Sequence, residues 1–348
     1  MSTIPMFEAQ GSHREAGQII GSACRLQIKK MLSDQRASLP GWTTWADMLS
    51  ASAEFLDISR KIYPQYVDEL VGIAEGSDLP FEEIFLSVCE ELWERAIWKT
   101  GCTDMAARGR ATKDGSTLIA HTNDLDPSAE EGLVLLKIKT GDEPEFLGIS
   151  PGGVAFSAGL NNAGISLTGN QLNNNDLRPG VPRLLVVRAI LGSANLADAI
   201  RHCLLPQRAS SYNNVIADRN GEVYSMEGSA TDCEPIYIQD DIMAHSNHYL
   251  SPGMRRFEAK PGEIGSSILR YNRALRLLRE NFGDLSVELF KELLGDHAGY
   301  PASICKHGPD SVTVFSVIIQ TEGLRAWVNH GRPCEADYVE YSLAPYQD

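Results

Sequence analysis

Thr100-Gly101-Cys102-Thr103-Asp104 is the stretch whose residue types can do chemistry. A cysteine attacks a carbonyl carbon well only as thiolate, so it needs a base or a positive neighbour. If the chain is cut before Cys102, the new α-amine meets both needs from the same residue. Its reference pKa is about 7.7–8.0, against about 8.5 for a thiol. Such an amine takes the thiol proton and later hands it to a leaving group near neutral pH, with no separate histidine required. Gly101 suits the cut, because no side chain shields its carbonyl and its backbone tolerates strain. Taken alone, Gly-Cys is also an ordinary pair at the start of a strand.

Other residues offer competing chemistry. His121, His245 and Asp124 allow a Cys–His–Asp triad with Cys102, but self-cleavage accounts better for Gly101. His245 and His248 are three apart on or just after a strand, which turns their rings to opposite faces and argues against a metal pair. Gly152 to Gly164 is glycine-rich, yet no Gly-x-Gly-x-x-Gly opens a helix, so no dinucleotide site is expected. The reading is therefore of an enzyme without metal or cofactor.

The junction divides the chain into two textures. Before it the sequence reads as helices. Residues 12–36 open with Ser12 and Glu15 as a capping box. Ala16, Ile19, Ile20 and Ala23 share a face, with Gly17 and Gly21 available for close packing. Residues 53–75 form a second helical block that Pro64 divides in two. A third helix is expected over 81–98. After the junction the sequence reads as strands. Cys102–Arg108 and Ser116–His121 flank an Asp114-Gly115 turn. Further strands are expected over 133–140, 145–149, 154–160, 165–172, 212–218, 222–227, 236–239, 242–245, 312–320 and 324–329. Helices return over 182–191, 194–203, 266–281 and 285–294. Helices flanking two blocks of antiparallel strands predict a layered α+β domain.

The whole-chain numbers exclude other classes. The 348 residues are 43% hydrophobic and 22% charged, ordinary globular values, and carry a formal net charge of −15. That surface repels phosphate backbones and argues against a nucleic-acid partner. No run of about 20 apolar residues suggests a membrane span. The seven cysteines are widely spaced, with no Cys-x-x-Cys pair, so a reducing cytoplasm is the simplest compartment and most are expected to be small buried hydrophobes.

Several stretches in order resemble one family. They are Tyr63-Pro64 through Gly76, Gly101-Cys102-Thr103, Asn123-Asp124, Gly159 through Asn170, Met243 through His248, Tyr300-Pro301 through Cys305, and Thr313 through Ile318. The chain resembles the acyl-coenzyme A:6-aminopenicillanic acid acyltransferase family, which are self-processing N-terminal-nucleophile hydrolases. More distantly it resembles the hydrolases of conjugated bile acids and penicillin V. The resemblance implies a four-layer αββα sandwich. It implies cleavage at Gly101-Cys102 into a helical α chain, 1–101, and a catalytic β chain, 102–348, that stay together as one domain. It further implies that Cys102 carries the acyl group as a thioester, that Asp124 orients the N-terminal nucleophile, and that Asn247 donates to the tetrahedral oxyanion. Asn170 lies near the position of a second polar group facing the substrate.

Three positions depart from the pattern. Asp104 stands where a threonine is usual, open to an amine-bearing substrate or to pairing with an arginine. His121 stands where the bile-acid branch has arginine. Asp310 stands where the family has an arginine, whose role is then lost or passes to Lys306, His307 or Arg332. Asp104, His121, Asn170 and His245 are thus the expected substrate-facing residues. The expected function is hydrolysis of a small linear amide or N-acyl amine. Acyl transfer to an amine is the alternative, and a non-catalytic scaffold the third.

Overall fold

The computed structural model describes residues 3–93 and 101–344. The expected cap holds: Ser12 and Glu15 close a capping box on α1 (His13–Ala23). Cys24 then breaks the expected 12–36 helix, and α2 (Arg25–Ala37) follows. α3 (Trp45–Ile62) ends where Pro64 opens α4 (Pro64–Ser77), a proline at the first turn that ends one helix and begins the next. α5 (Phe81–Ser87) and α6 (Glu90–Trp93) replace the start of the expected third helix. The rest of that helix, to Trp98, lies outside the described residues, as does Thr100.

Gly17 and Gly21 of α1 meet Gly72 and Gly76 of α4 backbone to backbone. A Cβ on Gly72 would sit 2.1 Å from Arg14 O, and one on Gly17 would sit 2.2 Å from Glu69 O. Gly72→Ala is therefore expected to destabilise the protein by about 2–3 kcal/mol, reversing the usual helix preference for alanine. Urea midpoints of Gly72→Ala against Gly41→Ala, whose Cβ would meet nothing within 4 Å, test this.

The first 101 residues are not all helix. β1 (Met6–Gly11) pairs in parallel with β4 (Leu133–Thr140) at a sheet edge. Only Ala9 in it is buried, so it carries no apolar alternation to announce a strand.

The remaining elements are β2 (Gly101–Ala107), β3 (Leu118–Leu125), β5 (Phe146–Pro151), β6 (Ala158–Asn161), β7 (Ile165–Gln171), α7 (Arg183–Leu191), α8 (Leu196–Cys203), β8 (Tyr212–Asp218), β9 (Val223–Gly228), β10 (Cys233–Tyr237), β11 (Ile242–His245), α9 (Gly265–Glu280), α10 (Val287–Leu294), β12 (Val312–Gln320), β13 (Arg325–His330) and β14 (Tyr338–Ser342). β14 is the second strand the sequence reading missed; its residues are only partly buried or exposed.

The strands form two sheets. One runs β1-β4-β5-β6-β7-β8-β9-β10, the other β11-β2-β3-β12-β13-β14. Side-chain alternation assigns each strand's residues to layers. Val134, Leu136, Ile138 and Ile216 pack outward with Ile20, Leu70, Ile73, Leu185 and Ile190 of the helices. Leu135, Leu147 and Val215 pack inward on Ile119, Val317 and Ile319 of the second sheet. Met105, Ala107, Leu118 and Ala120 cover the far face of that sheet with Leu277, Phe290 and Leu294 of α9 and α10. The chain is a four-layer αββα sandwich, as the sequence led us to expect.

Candidate active site

The same alternation sorts the residues around the junction. In β2, Cys102, Asp104 and Ala106 face the space between the sheets, while Gly101, Thr103 and Met105 face α9. In β3, Ile119, His121 and Asn123 face inward, and Thr122 and Asp124 face outward. The pairing Gly101 with Asp124, Cys102 with Asn123, and Asp104 with His121 brings each group together on its own side. His245 of β11 sits opposite Asp104 on the other flank of β2. The sandwich interior, largely apolar through its centre, is polar at this end.

On the inner side, His121 Nδ1 donates to Asp104 Oδ1 at 2.8 Å, both groups being buried. This corrects one sequence expectation: Asp104 pairs with a histidine and not an arginine. Burial by itself pulls the His121 pKa down. The Asp104 charge and hydrogen bond, with a further contribution from the Cys102 side chain, overcome it and push the pKa up to about 10. His121 is thus an imidazolium beside the thiol. Its second nitrogen lies 3.2 Å from the Asn123 amide, whose oxygen has no hydrogen-bond partner among the described residues and is the natural acceptor for a doubly protonated ring. Because the folded pKa lies above the unfolded value of about 6.5, the pair stabilises the fold fully below that pH. The contribution is lost as pH rises toward 10. The melting-temperature gap between wild type and His121→Gln is expected to narrow over that window, and a gap independent of pH would contradict the ion pair.

His245 and Asn170 meet across the two sheets. His245 Nδ1 donates to Asn170 Oδ1 at 2.9 Å, and its Nε2 lies 2.8 Å from Glu227 Oε1. Glu227 also accepts from the backbone N–H groups of Leu250 and Ser251, which holds the chain leading away from β11. His248 turns instead to Ser267, so the two histidines do not converge. Among the described residues Asn170 Nδ2 and Asp104 Oδ2 are buried without a hydrogen-bond partner, a donor and an acceptor open at this end of the sandwich.

On the outer side, Asp124 is fully buried and its Oδ1 accepts from Thr313 Oγ1 at 2.8 Å. A β-bulge in β12 between Thr313 and Phe315 keeps Thr313 facing Asp124 while Phe315 turns in under His121. Among the described residues Asp124 Oδ2 has no hydrogen-bond partner, and it packs on Gly101, where a Cβ would lie 2.8 Å away. A side chain at 101 therefore collides with this carboxylate, a reason for glycine that the sequence did not reveal. Burial pushes the Asp124 pKa up, opposed by the nearby Arg270 and Lys306 charges and the Thr313 hydrogen bond.

Asn247 holds the Cys102 nitrogen. Its Oδ1 accepts from Cys102 N at 2.8 Å and from Arg270 Nη2 at 2.8 Å, and its Nδ2 donates to Gln171 O at 3.0 Å. Two obligate donors fix the oxygen's position, so the amide that the sequence cast as an oxyanion donor here presents its acceptor to Cys102.

Arg270 is the residue that sequence reasoning missed. From α9 it donates through Nη1 to Cys102 O and, at 3.0 Å, to Thr103 Oγ1. Its charge and that of Lys306 both act on the Asp124 carboxylate. His307 turns to Cys305, and Arg332 pairs with Glu335. A signal was present. Arg270 lies on the face of α9 that buries Ser267, Ala274 and Leu277, a charged residue in an apolar stripe.

A cavity of about 600 Å³ opens beside Gln171, the residue that anchors Asn247. Met31 and Gln27 of α2, Trp93, Val154 and Phe156 line it together with Leu184 and Tyr212, with Lys30, Asp34 and Arg183 among its polar walls. Residues from both sides of the Gly101-Cys102 junction build it, and its size suits a small organic substrate.

A four-layer sandwich with a buried cysteine beginning a central strand, held by an asparagine, an arginine and an aspartate, matches the resemblance read from the motifs. The chain belongs to the family described as acyl-coenzyme A:6-aminopenicillanic acid acyl-transferase, which matches residues 110–335. That stretch takes in Asp124, Asn247 and Arg270 and begins just after Cys102. The chain is 27% identical to the 40 kDa form of acyl-coenzyme A:6-aminopenicillanic-acid-acyltransferase of Emericella nidulans, over 94% of this chain and 93% of that protein. It is 25% identical to the beta-alanyl-dopamine/carcinine hydrolase of Drosophila melanogaster, over 57% of this chain and 56% of that one. Among solved structures, a variant of the conjugated bile acid hydrolase from Clostridium perfringens aligns with a TM-score of 0.47 and 12% identity, covering 70% of this chain and 97% of that one. Family membership marks the chain as an enzyme acting on amides, by hydrolysis or acyl transfer. Among the described residues no helix is long and apolar enough to cross a membrane.

Proposed function

We propose that the chain cuts itself between Gly101 and Cys102 and then hydrolyses a small linear amide through a Cys102 thioester. One observation carries this reading: the buried Asp124 Oδ2, with no hydrogen-bond partner among the described residues, packs on Gly101 beside the bond to be cut. In the uncut chain that oxygen is buried beside a peptide that gives it no hydrogen bond. Once Gly101 departs, an ammonium at Cys102 N gives it a donor and a counter-charge, and relieves the burial that pushes its pKa up.

In self-cleavage the Cys102 thiol adds to the Gly101 carbonyl carbon, the peptide C–N bond breaks, and the acyl group shifts from nitrogen to sulfur. Water then hydrolyses the thioester, releasing a Gly101 carboxylate and a free Cys102 amine. Residues 1–101 and 102–348 remain associated through the shared core. In turnover the amine takes the thiol proton as sulfur attacks the substrate carbonyl. It gives that proton to the departing amine, and the acyl group stays on sulfur. Water, activated by the same amine, releases the acid. Asn247 and Arg270 fix the nucleophile's nitrogen and carbonyl. The His121 imidazolium favours thiolate over thiol, and Asp104 holds it in place. Asn170 Nδ2 and Asp104 Oδ2 are the free polar positions for substrate, with His245 orienting Asn170. Asn247 Nδ2 serves the oxyanion when the amide exchanges its bond to Gln171.

Hydrolysis is preferred because it needs no site for a second substrate. Acyl transfer remains the second reading, favoured by the name of the Emericella relative. A panel of N-acyl amines, with and without an acceptor amine, tests the choice. Free acid is expected as the main product in both conditions. Acylated acceptor in excess of free acid would overturn hydrolysis in favour of transfer.

A further inference from the structure

Apart from the catalytic groups, four side chains with metal-binding atoms converge at the edge of the second sheet. His297 follows α10, Cys305 and His307 lie in the loop that leads to β12, and Cys334 lies in the connection from β13 to β14. Their ligand atoms all fall within 4.8 Å of one another. His297 Nε2 is 3.0 Å from His307 Nε2. Cys305 Sγ is 3.4 Å and Cys334 Sγ 3.3 Å from that same His307 nitrogen, and the two sulfurs are 3.5 Å apart.

These spacings are close to the edges of a zinc tetrahedron. With Zn–S of about 2.3 Å and Zn–N of about 2.0–2.1 Å, the edges are about 3.3–3.8 Å. A disulfide does not explain them, because bonded sulfurs lie at about 2.05 Å and both cysteines here are free. Two thiols and two imidazoles also form a soft, mixed donor set that suits zinc over magnesium or calcium. The Glu335 carboxylate stands 3.7 Å from His307 Nδ1, on the side away from the cluster, where it can fix the ring's tautomer. The sequence reading expected no metal. The spacings, two residues from Cys305 to His307 and 27 more to Cys334, gave no local motif.

We propose that His297, Cys305, His307 and Cys334 bind one structural zinc ion. Binding releases the two thiol protons to solvent and joins the loop before β12 to the turn after β13. The consequence reaches the nucleophile. Between the two loop ligands, Lys306 N donates to Thr313 Oγ1 at 2.9 Å, and Thr313 Oγ1 donates to Asp124. The zinc thus clamps the loop that supports Asp124. With four protein ligands it has no open position for catalysis.

The test is metal analysis of the full, untagged chain purified without chelator, followed by cobalt(II) titration of the chelator-stripped protein. The expected result is about one zinc per chain. Cobalt should bind with the same stoichiometry and give thiolate charge-transfer absorption with tetrahedral d–d bands. Cys334→Ser and His297→Ala change exposed residues, so both are expected to fold by circular dichroism yet lose zinc and the cobalt spectrum. Cys233→Ser should keep both. Removal of zinc should lower the melting temperature of the wild type and not of Cys334→Ser. A wild-type chain that takes up neither metal would overturn the proposal. So would metal binding unchanged in both ligand variants, or a freshly reduced preparation that re-forms a Cys305–Cys334 disulfide in the presence of zinc. None of these outcomes depends on cleavage at Gly101 or on turnover.

Discussion

Cys102→Ala is expected to leave a folded chain that neither cuts itself nor turns over any amide. Loss of turnover should be on the order of 10⁴-fold or more, the scale seen when an enzyme loses its nucleophile. Sulfur is the only atom that forms the bond to the acyl carbon, in self-cleavage and in turnover alike, and the α-amine that serves it exists only after the first of these. The fold should survive because the side chain sits at the polar end of the inter-sheet layer and not inside an apolar cluster. Far-UV circular dichroism and a melting temperature close to wild type check that. Rapid quenching of the wild type with an N-acyl substrate should show the 102–348 fragment heavier by one acyl group. Acylation at another residue, or activity retained in Cys102→Ala, would remove Cys102 from the mechanism.

Asp124→Asn should be nearly as damaging to activity by a different route. The substitution keeps the shape and the bond from Thr313 but removes the charge meant to meet the new ammonium. Rates of processing and turnover are each expected to fall about 10²–10³-fold, the cost of losing one preorganised electrostatic partner. Stability should fall too. Arg270 is buried, its pKa pulled down by desolvation and held up mainly by Asp124. Removing that carboxylate takes away the charge that opposes the arginine's desolvation, while its bonds to Cys102 O, Thr103 Oγ1 and Asn247 Oδ1 remain, and stability is expected to fall by about 1–3 kcal/mol. The double variant Asp124→Asn with Arg270→Met removes both charges and is expected to recover part of that stability but none of the activity. Additive losses of stability in the double variant would show that the two charges are not coupled. Arg270→Lys should rescue poorly, because one ammonium cannot reach Cys102 O, Thr103 Oγ1 and Asn247 Oδ1 with the guanidinium's fixed geometry.

The sequence was most legible where a local rule had physical force. The Ser12 and Glu15 cap, the break at Pro64 and the turn at Gly115 are set by neighbours within a few residues. The layered α+β class followed from helices flanking two blocks of strands, and the four-layer αββα sandwich from the family resemblance. β1 and β14 escaped because edge strands bury little and so show no clean pattern. At the site, Cys102, Asp124 and Asn247 were found through motif resemblance, and the structure brings all three to the Gly101-Cys102 peptide. Arg270 was not found, because its role depends on α9 lying across the start of β2, a tertiary fact absent from local spacing. The partner of Asp104 was also hidden. Only the register of β2 on β3 sets His121 opposite it, 17 positions along the chain. The His297, Cys305, His307 and Cys334 cluster is hidden in the same way, assembled from three segments that only the fold brings together.

The central claim is that Cys102 becomes the N-terminus of a catalytic fragment. Intact-mass analysis of freshly purified wild type and Cys102→Ala tests it most directly. Wild type should resolve into two fragments that sum to the full chain plus one water, the larger beginning at Cys102, while Cys102→Ala stays whole. A wild type that keeps a single full-length mass after prolonged incubation, or that is cut at another bond, would contradict the account.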